Sequence, residues 1–519
     1  MRILLINPHT YWKSENNVLS LRSRNFYDNL SIRYLASSLE GAGHTVDLFD
    51  AHFDEITFED LLEKIEKADF YDMYGITCVE RILEETFRIA ALIKRKHKDS
   101  TVLIGGYGAT LLGDRILSNN RNIDVALIGE GELSLVDFVN CLQDGGSWHS
   151  ISGIMFREND EIIETRITRI ITDLDTLKWP KRASFYKYGK ANIIASRGCY
   201  GKCTYCSITE FHRQGRDIPF RVRSPKDVVA EMSQLYNEYG IYYFDFVDDS
   251  FITICKKNKE WVDIFTEELT EKKLKLTWGI QSRANDIEED LFKKLYKSGL
   301  RSVSIGIENN VSRVINLFSI GSNDTIHKNA IRVLRKLGID SFVEMILLEP
   351  TTELEEVKEN LKFLHEIEYY ESSIENPVTF SPRLALYTGT PIINHYKGKV
   401  DLKYTTYSID YEFINKDIQT LRQLLLFWQV RTSKLASMHL SYPHYVATKN
   451  GLIGIAMKAL KASKAYLKFD LNFYDYIVDY ILEHRECTLE ELKTEMERFE
   501  PEILNFESKF EKIWNAVYN

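Results

Sequence analysis

The sequence predicts an α/β chain with a mainly helical C-terminal region, on three observations. Over residues 1–140, short apolar runs alternate with amphipathic stretches of helical spacing, the rhythm of parallel strands joined by crossover helices. Past residue 395 the periodicity becomes helical. Between these regions three of the seven cysteines, Cys199, Cys203 and Cys206, crowd into eight residues. A length of 519 residues points to two or three domains, and 44% hydrophobic with 12% aromatic residues is enough to fill their cores. With only 10 Pro and 26 Gly, disordered, collagenous and mucin-like classes are excluded.

In chain order, the first strands are expected at 2–6, 45–49, 73–77, 102–104 and 125–128, with helices at 32–40 and 82–94. Gly41 and Gly43 supply a helix stop before the second strand. Five strands in this order predict a flavodoxin-like, doubly wound sheet whose ligand lies beyond the C-terminal strand ends. At those ends stand Asn7-Pro8-His9-Thr10, Thr77-Cys78-Val79, Gly105-Gly106-Tyr107-Gly108 and Gly129-Glu130-Gly131-Glu132. Their glycines let a flat or phosphorylated ligand approach the backbone, or serve only as tight turns. His9 is a corresponding candidate contact, or a solvated loop residue. Residues 141–190 read as a linker containing a hairpin around Glu158-Asn159-Asp160. In the tail, 396–519, helices are expected at 417–434, 452–468 and 489–498, with aromatic residues that either cover a substrate or form core.

Lys and Arg number 66 against 76 Asp and Glu, a net charge of −10, which argues against a nucleic-acid polyanion as main partner. The first apolar run stops at Asn7-Pro8, too short for a signal-peptide core. No stretch approaches the roughly 18 apolar residues of a membrane span. A cytoplasmic protein with reduced thiols and no membrane partner is therefore expected.

In such a compartment a crowded thiol trio points to metal rather than to a disulfide. A short strand leads into Gly198-Cys199-Tyr200-Gly201-Lys202-Cys203-Thr204-Tyr205-Cys206, a C-x3-C-x2-C loop. Three thiolates so spaced hold three irons of a [4Fe–4S] cluster and leave the fourth open, whereas ferredoxin-type clusters use four cysteines. The alternative is zinc on three cysteines and His212, although structural zinc usually takes its ligands as two short pairs.

The runs MRILLINP, LASSLEGAGHTVDLFDA, VLIGGYGAT and DVALIGEGE together resemble the cobalamin-binding domain at the N-terminus of B12-dependent radical SAM enzymes. By that resemblance Thr77, Gly105 and Gly106 line the channel for the nucleotide tail. The Asp-x-His-x-x-Gly signature of a lower axial histidine is missing after strand one. Asp50-Ala51-His52 imitates it after strand two, with Glu55 in place of glycine. Asp50 then reads as a strand-end cap and His52 as non-ligating, so the cobalamin is expected base-off.

The cysteine loop resembles the radical S-adenosylmethionine superfamily, and FRVRSPKDVVAEM, YYFDFVDDSFI, LTWGIQSRAN, GLRSVSIGIENN and the segment 337–364 continue the likeness, with LALYTGTPI (384–392) closing it. It implies a partial (β/α)6 barrel over 191–395 with its site at the C-terminal strand ends. The resemblance places Tyr205 near the adenine of SAM, Asp248 or Asp249 at its amino group, Arg283 at its carboxylate and Glu308 at its ribose. The plain alternatives are core for Tyr205, a turn for the Asp pair, and a salt bridge between Arg283 and Glu308. After strand five, Leu348-Glu349-Pro350-Thr351-Thr352-Glu353 replaces the usual Gly-x-Pro-Gly-Glu, so no adenine contact is assigned there. His212, Arg213 and Arg216 border substrate or form a solvated basic loop. The implied function is methylation of an unactivated carbon in a small-molecule or peptide substrate, with flavodoxin or ferredoxin as reductant. Cyclisation, oxidation or rearrangement with the same cofactors is the second expectation, and a zinc- and nucleotide-binding sensor the third.

Overall fold

The computed structural model describes residues 1–8, 12–13, 19–20, 28–186, 189–213, 220–257, 259–371, 380–381, 383–438, 447 and 450–518. His9 and Arg216, and the side chain of Arg213, lie outside the described residues.

Strands β1 (Arg2–Asn7), β2 (Thr45–Asp50), β3 (Met73–Thr77), β4 (Thr101–Gly105) and β5 (Val125–Leu127) form a parallel sheet in the order β2-β1-β3-β4-β5. This is the flavodoxin-like order expected. After its first residue β1 is buried throughout, because helices cover both faces. Leu4, Ile6, Tyr74 and Ile76 pack under Phe58–Lys67, Leu83–Lys96 and Tyr107–Asn119. Ile3, Leu5, Met73 and Leu103 pack under Leu30–Gly41 and Glu132–Asp144. Each such side chain contributes about 1.5–3 kcal/mol on burial, so the alternation of faces fixes the register. The order reverses between β1 and β3, which puts the ligand-binding crevice beside Thr77.

The hairpin in 141–190 is present and continues this sheet. Strands β6 (Ile154–Glu158) and β7 (Glu161–Glu164) pair antiparallel on β5, and Asn159 and Asp160 both take positive φ, 48° and 69°, as a two-residue hairpin turn requires.

Strands β8 (Lys190–Ile193), β9 (Tyr243–Phe246), β10 (Thr277–Arg283), β11 (Leu300–Glu308), β12 (Asp340–Ile346) and β13 (Phe380–Ser381) form a second parallel sheet in sequential order, the six-stranded partial barrel. One expectation is corrected. The closing strand is 380–381, whereas 384–392 is a turn-rich segment leading into the helix Ile392–Tyr396. Leu384 and Leu386 are apolar because they are buried: the Leu384 amide donates to the Leu348 carbonyl at 2.7 Å, and Leu386 makes a single bridge to Ile409.

The tail helices are Lys416–Arg431, Ile453–Glu483, Leu489–Glu497 and Glu500–Tyr518. Most of their aromatic residues are core, with Phe427 exposed: Trp428 stacks on Phe473 at 3.4 Å and donates to Asp470 at 2.6 Å, and both rings join the apolar cluster that fills the barrel wall. Among the described residues no helix is long and apolar enough to cross a membrane.

Candidate functional site

The C-terminal ends of β8 to β12 deliver the cysteine loop, Asp248-Asp249, Arg283, Glu308 and Glu349 to one mouth. The cysteine loop is held along its whole length. Asp248 is 1% exposed and spends both oxygens on it, accepting the Ala195 amide at 3.1 Å and the Ser196 hydroxyl at 2.5 Å. Burial pushes this carboxyl up to about 7, against the pull of Ser196 and the backbone amides. Asp249 accepts the Gly198 amide at 3.0 Å and faces His212 Nε2 at 2.8 Å. His212 is thereby turned to a carboxylate. Gly198 has φ 93°, a conformation that favours glycine. Tyr200 donates to Asp286 at 2.6 Å, Thr204 donates to the carbonyls of Phe318 and Leu317 at 3.0 and 2.7 Å, and the Ile392 amide donates to the Thr204 carbonyl at 2.9 Å. The segment 384–392 thus props the loop from below.

Around the thiols stand backbone donors and one guanidinium. The Gly201 amide donates to Cys199 Sγ at 3.3 Å, and the Ile208 and Thr209 amides, at the start of the helix Ser207–Arg213, donate to Cys206. Burial pushes all three thiols up, Cys206 to about 11, while Arg283 draws Cys199 and Cys203 back. Arg283 lies over the Tyr200 ring at 5.2 Å, and a Cβ at Gly201 would meet it at 2.9 Å. Metal binding deprotonates a thiol outright, and N–H···S bonds tune the cluster so held. The donor set fits a [4Fe–4S] cluster. Cys78, fully buried in the first sheet, and Cys487, in the tail, are not part of it.

Glu308 has φ 63°, and the Asn309 amide closes a γ-turn on the Ile307 carbonyl at 2.7 Å. A glutamate in that conformation is strained and persists only where its surroundings fix it. Burial, then the charge of Glu344, pushes its carboxyl up to about 8, while a bond from Tyr205 and the charge of Arg283 oppose this. Tyr205 itself packs on Phe318 at 4.9 Å. The turn is clamped from outside the mouth. Asn309 donates to the Ile346 carbonyl at 2.9 Å, and Asn360, fully buried, accepts the Asn310 amide at 2.8 Å and donates to Asn309 Oδ1 at 3.2 Å. Replacing Asn360 with alanine leaves the buried Asn310 amide unpaired, at a cost of about 1–3 kcal/mol, while Asn309 Oδ1 keeps the Val311 amide at 3.0 Å. We expect Asn360→Ala to weaken SAM binding in a calorimetric titration while the iron content of the reconstituted protein stays at the parent level.

Sequence reasoning left Glu349 unassigned. It is 1% exposed and accepts from Arg313, Thr351 and Tyr396, all at 2.7 Å, a buried hub just before Pro350.

The first sheet turns its own C-terminal strand ends to the same mouth. Thr77, half-buried, pairs with Gly105. A Cβ at Gly105 would meet nothing closer than Leu127 at 4.0 Å, so packing within the fold does not demand a glycine here. Gly106 has a reason internal to the fold: at φ 102° its Cβ would press the Cys78 carbonyl at 3.1 Å. Asp50 is more than a cap. It accepts from Asn7 at 2.8 Å and the Asn29 amide at 3.0 Å, with Arg33 at 3.8 Å, so Asp50 belongs to packing at the edge strand. Tyr107 reaches across to pack, tilted, on Phe211 at 4.4 Å, close enough to Asp249 and Cys206 for their charges, after burial, to push its hydroxyl up. Glu130 accepts both Arg221 amines at 2.7 Å and lies 3.3 Å from Arg197, which also bonds Glu132 at 2.5 Å. Arg197 lies two residues before Cys199. None of this pairing was anticipated from the sequence.

A three-thiol loop at the mouth of a six-stranded parallel barrel, faced by a doubly wound sheet, is the architecture of radical SAM proteins with an added cofactor domain. The family model of the B12 binding domain matches residues 17–139, and that of the radical SAM superfamily matches 193–364. An uncharacterized methyltransferase of Pyrococcus horikoshii is 27% identical over 360 residues, 67% of this chain and 76% of that protein. The anaerobic magnesium-protoporphyrin IX monomethyl ester cyclase of Cereibacter sphaeroides is 30% identical over 335 residues, 61% of this chain but only 53% of that protein. The solved structure of the cobalamin-dependent S-adenosylmethionine radical enzyme OxsB, with aqua-cobalamin and SAM bound, superposes with a TM-score of 0.74 at 16% identity, covering 99% of this chain and 79% of that one. The chain belongs to the radical SAM enzymes that carry a B12-binding domain. The family's cofactors are a [4Fe–4S] cluster, SAM and cobalamin.

Proposed function

We propose that the chain is a cobalamin-dependent radical SAM methyltransferase acting on an unactivated carbon of a small-molecule or peptide substrate. The observation that carries this is the meeting of the two sets of strand ends, with Arg197 joining the cysteine loop to Glu130 and Glu132. When bound, the cluster supplies the electron that cleaves SAM to a 5′-deoxyadenosyl radical, and cobalamin supplies a transferable methyl group. Cys199, Cys203 and Cys206 hold the cluster. Asp248 spends both oxygens on the loop whereas the Gly198 and His212 bonds of Asp249 fall on Oδ2, so Asp249 Oδ1 is the acceptor for the SAM amino group. Arg283, beside Cys199 and Cys203, receives the carboxylate; Glu308 receives the ribose hydroxyls, and Tyr205 borders the adenine. Thr77 and Gly105 receive the cobalamin nucleotide tail, with Gly106 shaping the turn. His52, just past the end of the edge strand, would not serve as a lower ligand, so cobalamin would be held by shape and backbone contacts. The first unit extends through the hairpin to residue 164, and 396–519 braces the barrel and limits access to substrate. The reductant is a flavodoxin or ferredoxin in a reducing, cytoplasmic compartment.

The test is anaerobic turnover with SAM labelled in its methyl carbon, a reductant, and a metabolite extract as substrate pool. The expected products are a labelled methylated compound with 5′-deoxyadenosine and S-adenosylhomocysteine in equal amounts. A changed but unlabelled compound with 5′-deoxyadenosine alone would replace this reading with the cyclase reading, which the Cereibacter relative favours.

A further inference from the structure

From residue 435 to 469 the sequence contains no Asp or Glu, in a chain where acids outnumber bases 76 to 66. Most of this stretch with described side chains lies in the first half of the helix Ile453–Glu483. Its inner face is committed: Ala456, Ala459, Ala462 and Tyr466 are buried. Its outer stripe carries Ile453 and Met457, then Lys461, Lys464 and Lys468, at spacings of three and four residues that align them along one side. Ile453 is 54% and Met457 66% exposed, with Leu452 beside them at 39%. Lys458 flanks the apolar end. A hollow of about 520 Å³ opens between this helix and Tyr370, lined by Met457, Leu460, Lys461, Lys464 and Lys468. Lys468 lies over the Tyr370 ring at 5.0 Å, and Lys464 pairs with Glu371 at 2.8 Å.

The position is informative. Tyr369–Glu371 follows the helix Leu354–Glu366, which returns from the mouth toward the N-terminal ends of the strands. The patch therefore lies away from the cysteine loop, and an occupant there would leave the mouth free.

We infer that this patch docks the protein on an anionic lipid surface. Exposed Leu452, Ile453 and Met457 offer apolar area to the acyl boundary, and the lysines that continue the same side attract anionic headgroups, the two contributions that hold a helix at a membrane surface. The lysines complement the negative surface, and the hollow gives room for a headgroup between them. Such attachment requires no spanning helix.

The test uses the purified full chain in cosedimentation with phosphatidylcholine vesicles, alone or mixed with phosphatidylglycerol. Binding is expected only to the mixed vesicles and is expected to weaken as salt is raised. Each surface lysine raises the partition about five-fold, so Lys458→Gln with Lys461→Gln should lower it about 25-fold. Lys293→Gln with Lys297→Gln, on a helix of the barrel, removes the same charge and should leave partition unchanged. Met457→Ser should weaken binding without changing the salt dependence. Equal binding to both vesicle types, no binding to either, or equal loss in the two lysine pairs would overturn the assignment. So would retention on a heparin column that the Lys458 and Lys461 changes abolish, in a protein that ignores vesicles.

Discussion

Cys203→Ala is expected to abolish SAM cleavage and to leave the protein unable to retain a full complement of iron. A site with three thiolates cannot lose one and still hold three irons with the fourth free for substrate. Cys199→Ala and Cys206→Ala should behave alike, since each thiol has its own donors: Gly201 for Cys199, and the helix start at Ile208 and Thr209 for Cys206. The controls are Cys78→Ala and Cys487→Ala. Cys78 is enclosed against Gly106 and Gly108 in the first sheet, and its loss opens a small cavity without touching the barrel. The measurements are anaerobic iron and sulfide content, the visible absorbance of the cluster, and 5′-deoxyadenosine released with dithionite. Parent-level cleavage by the Cys203 variant would remove the cluster assignment. Iron lost equally from the Cys78 variant would show that the trio is not a self-contained site.

How much of this was legible in the sequence depended on how far apart the interacting residues lie along the chain. The cysteine loop is local, and its spacing alone announced it. Strand ends fell within a residue or two because an apolar run buried on both sides stops abruptly where the chain meets solvent or a turn. Glu308 was singled out by the family resemblance, at the end of a strand, but its γ-turn was not foreseeable, since Asn360, which clamps it, lies on the helix Leu354–Glu366. Arg221 and Glu130 are 91 residues apart, and in isolation each looks like an ordinary surface charge beside a turn. The run at 384–392 misled for a related reason. Its apolar residues pack against the Leu348 loop and Tyr411 rather than in a ladder, and packing and pairing leave the same imprint on composition.

Glu130→Ala should show whether the two strand-end clusters act as one unit. The carboxylate lies between Arg221 and Arg197, whose side chains are only 7% and 13% exposed. Burial pushes the Glu130 carboxyl up, but the Arg221 hydrogen bonds and the charges of both guanidiniums overcome this and hold it below the usual range. Removing it leaves Arg221 without that bidentate partner, while Arg197 keeps Glu132. Breaking a buried pair from one side costs about 3–5 kcal/mol, and the loss falls on the junction rather than on either core. The first sheet is therefore expected to melt ahead of the barrel, splitting the calorimetric transition, with iron retained. Glu130→Gln keeps an acceptor for one amine and should fall between. The pH dependence has a definite sign. A carboxyl held below its unfolded value stabilises fully above about pH 4.3 and loses that contribution as pH falls through its folded value. The parent should thus show an acid limb that Glu130→Ala lacks. An unsplit transition at the parent temperature, with the acid limb intact, would mean that Arg197 and Arg221 are held by other partners and that the cysteine loop does not depend on the first sheet for its position.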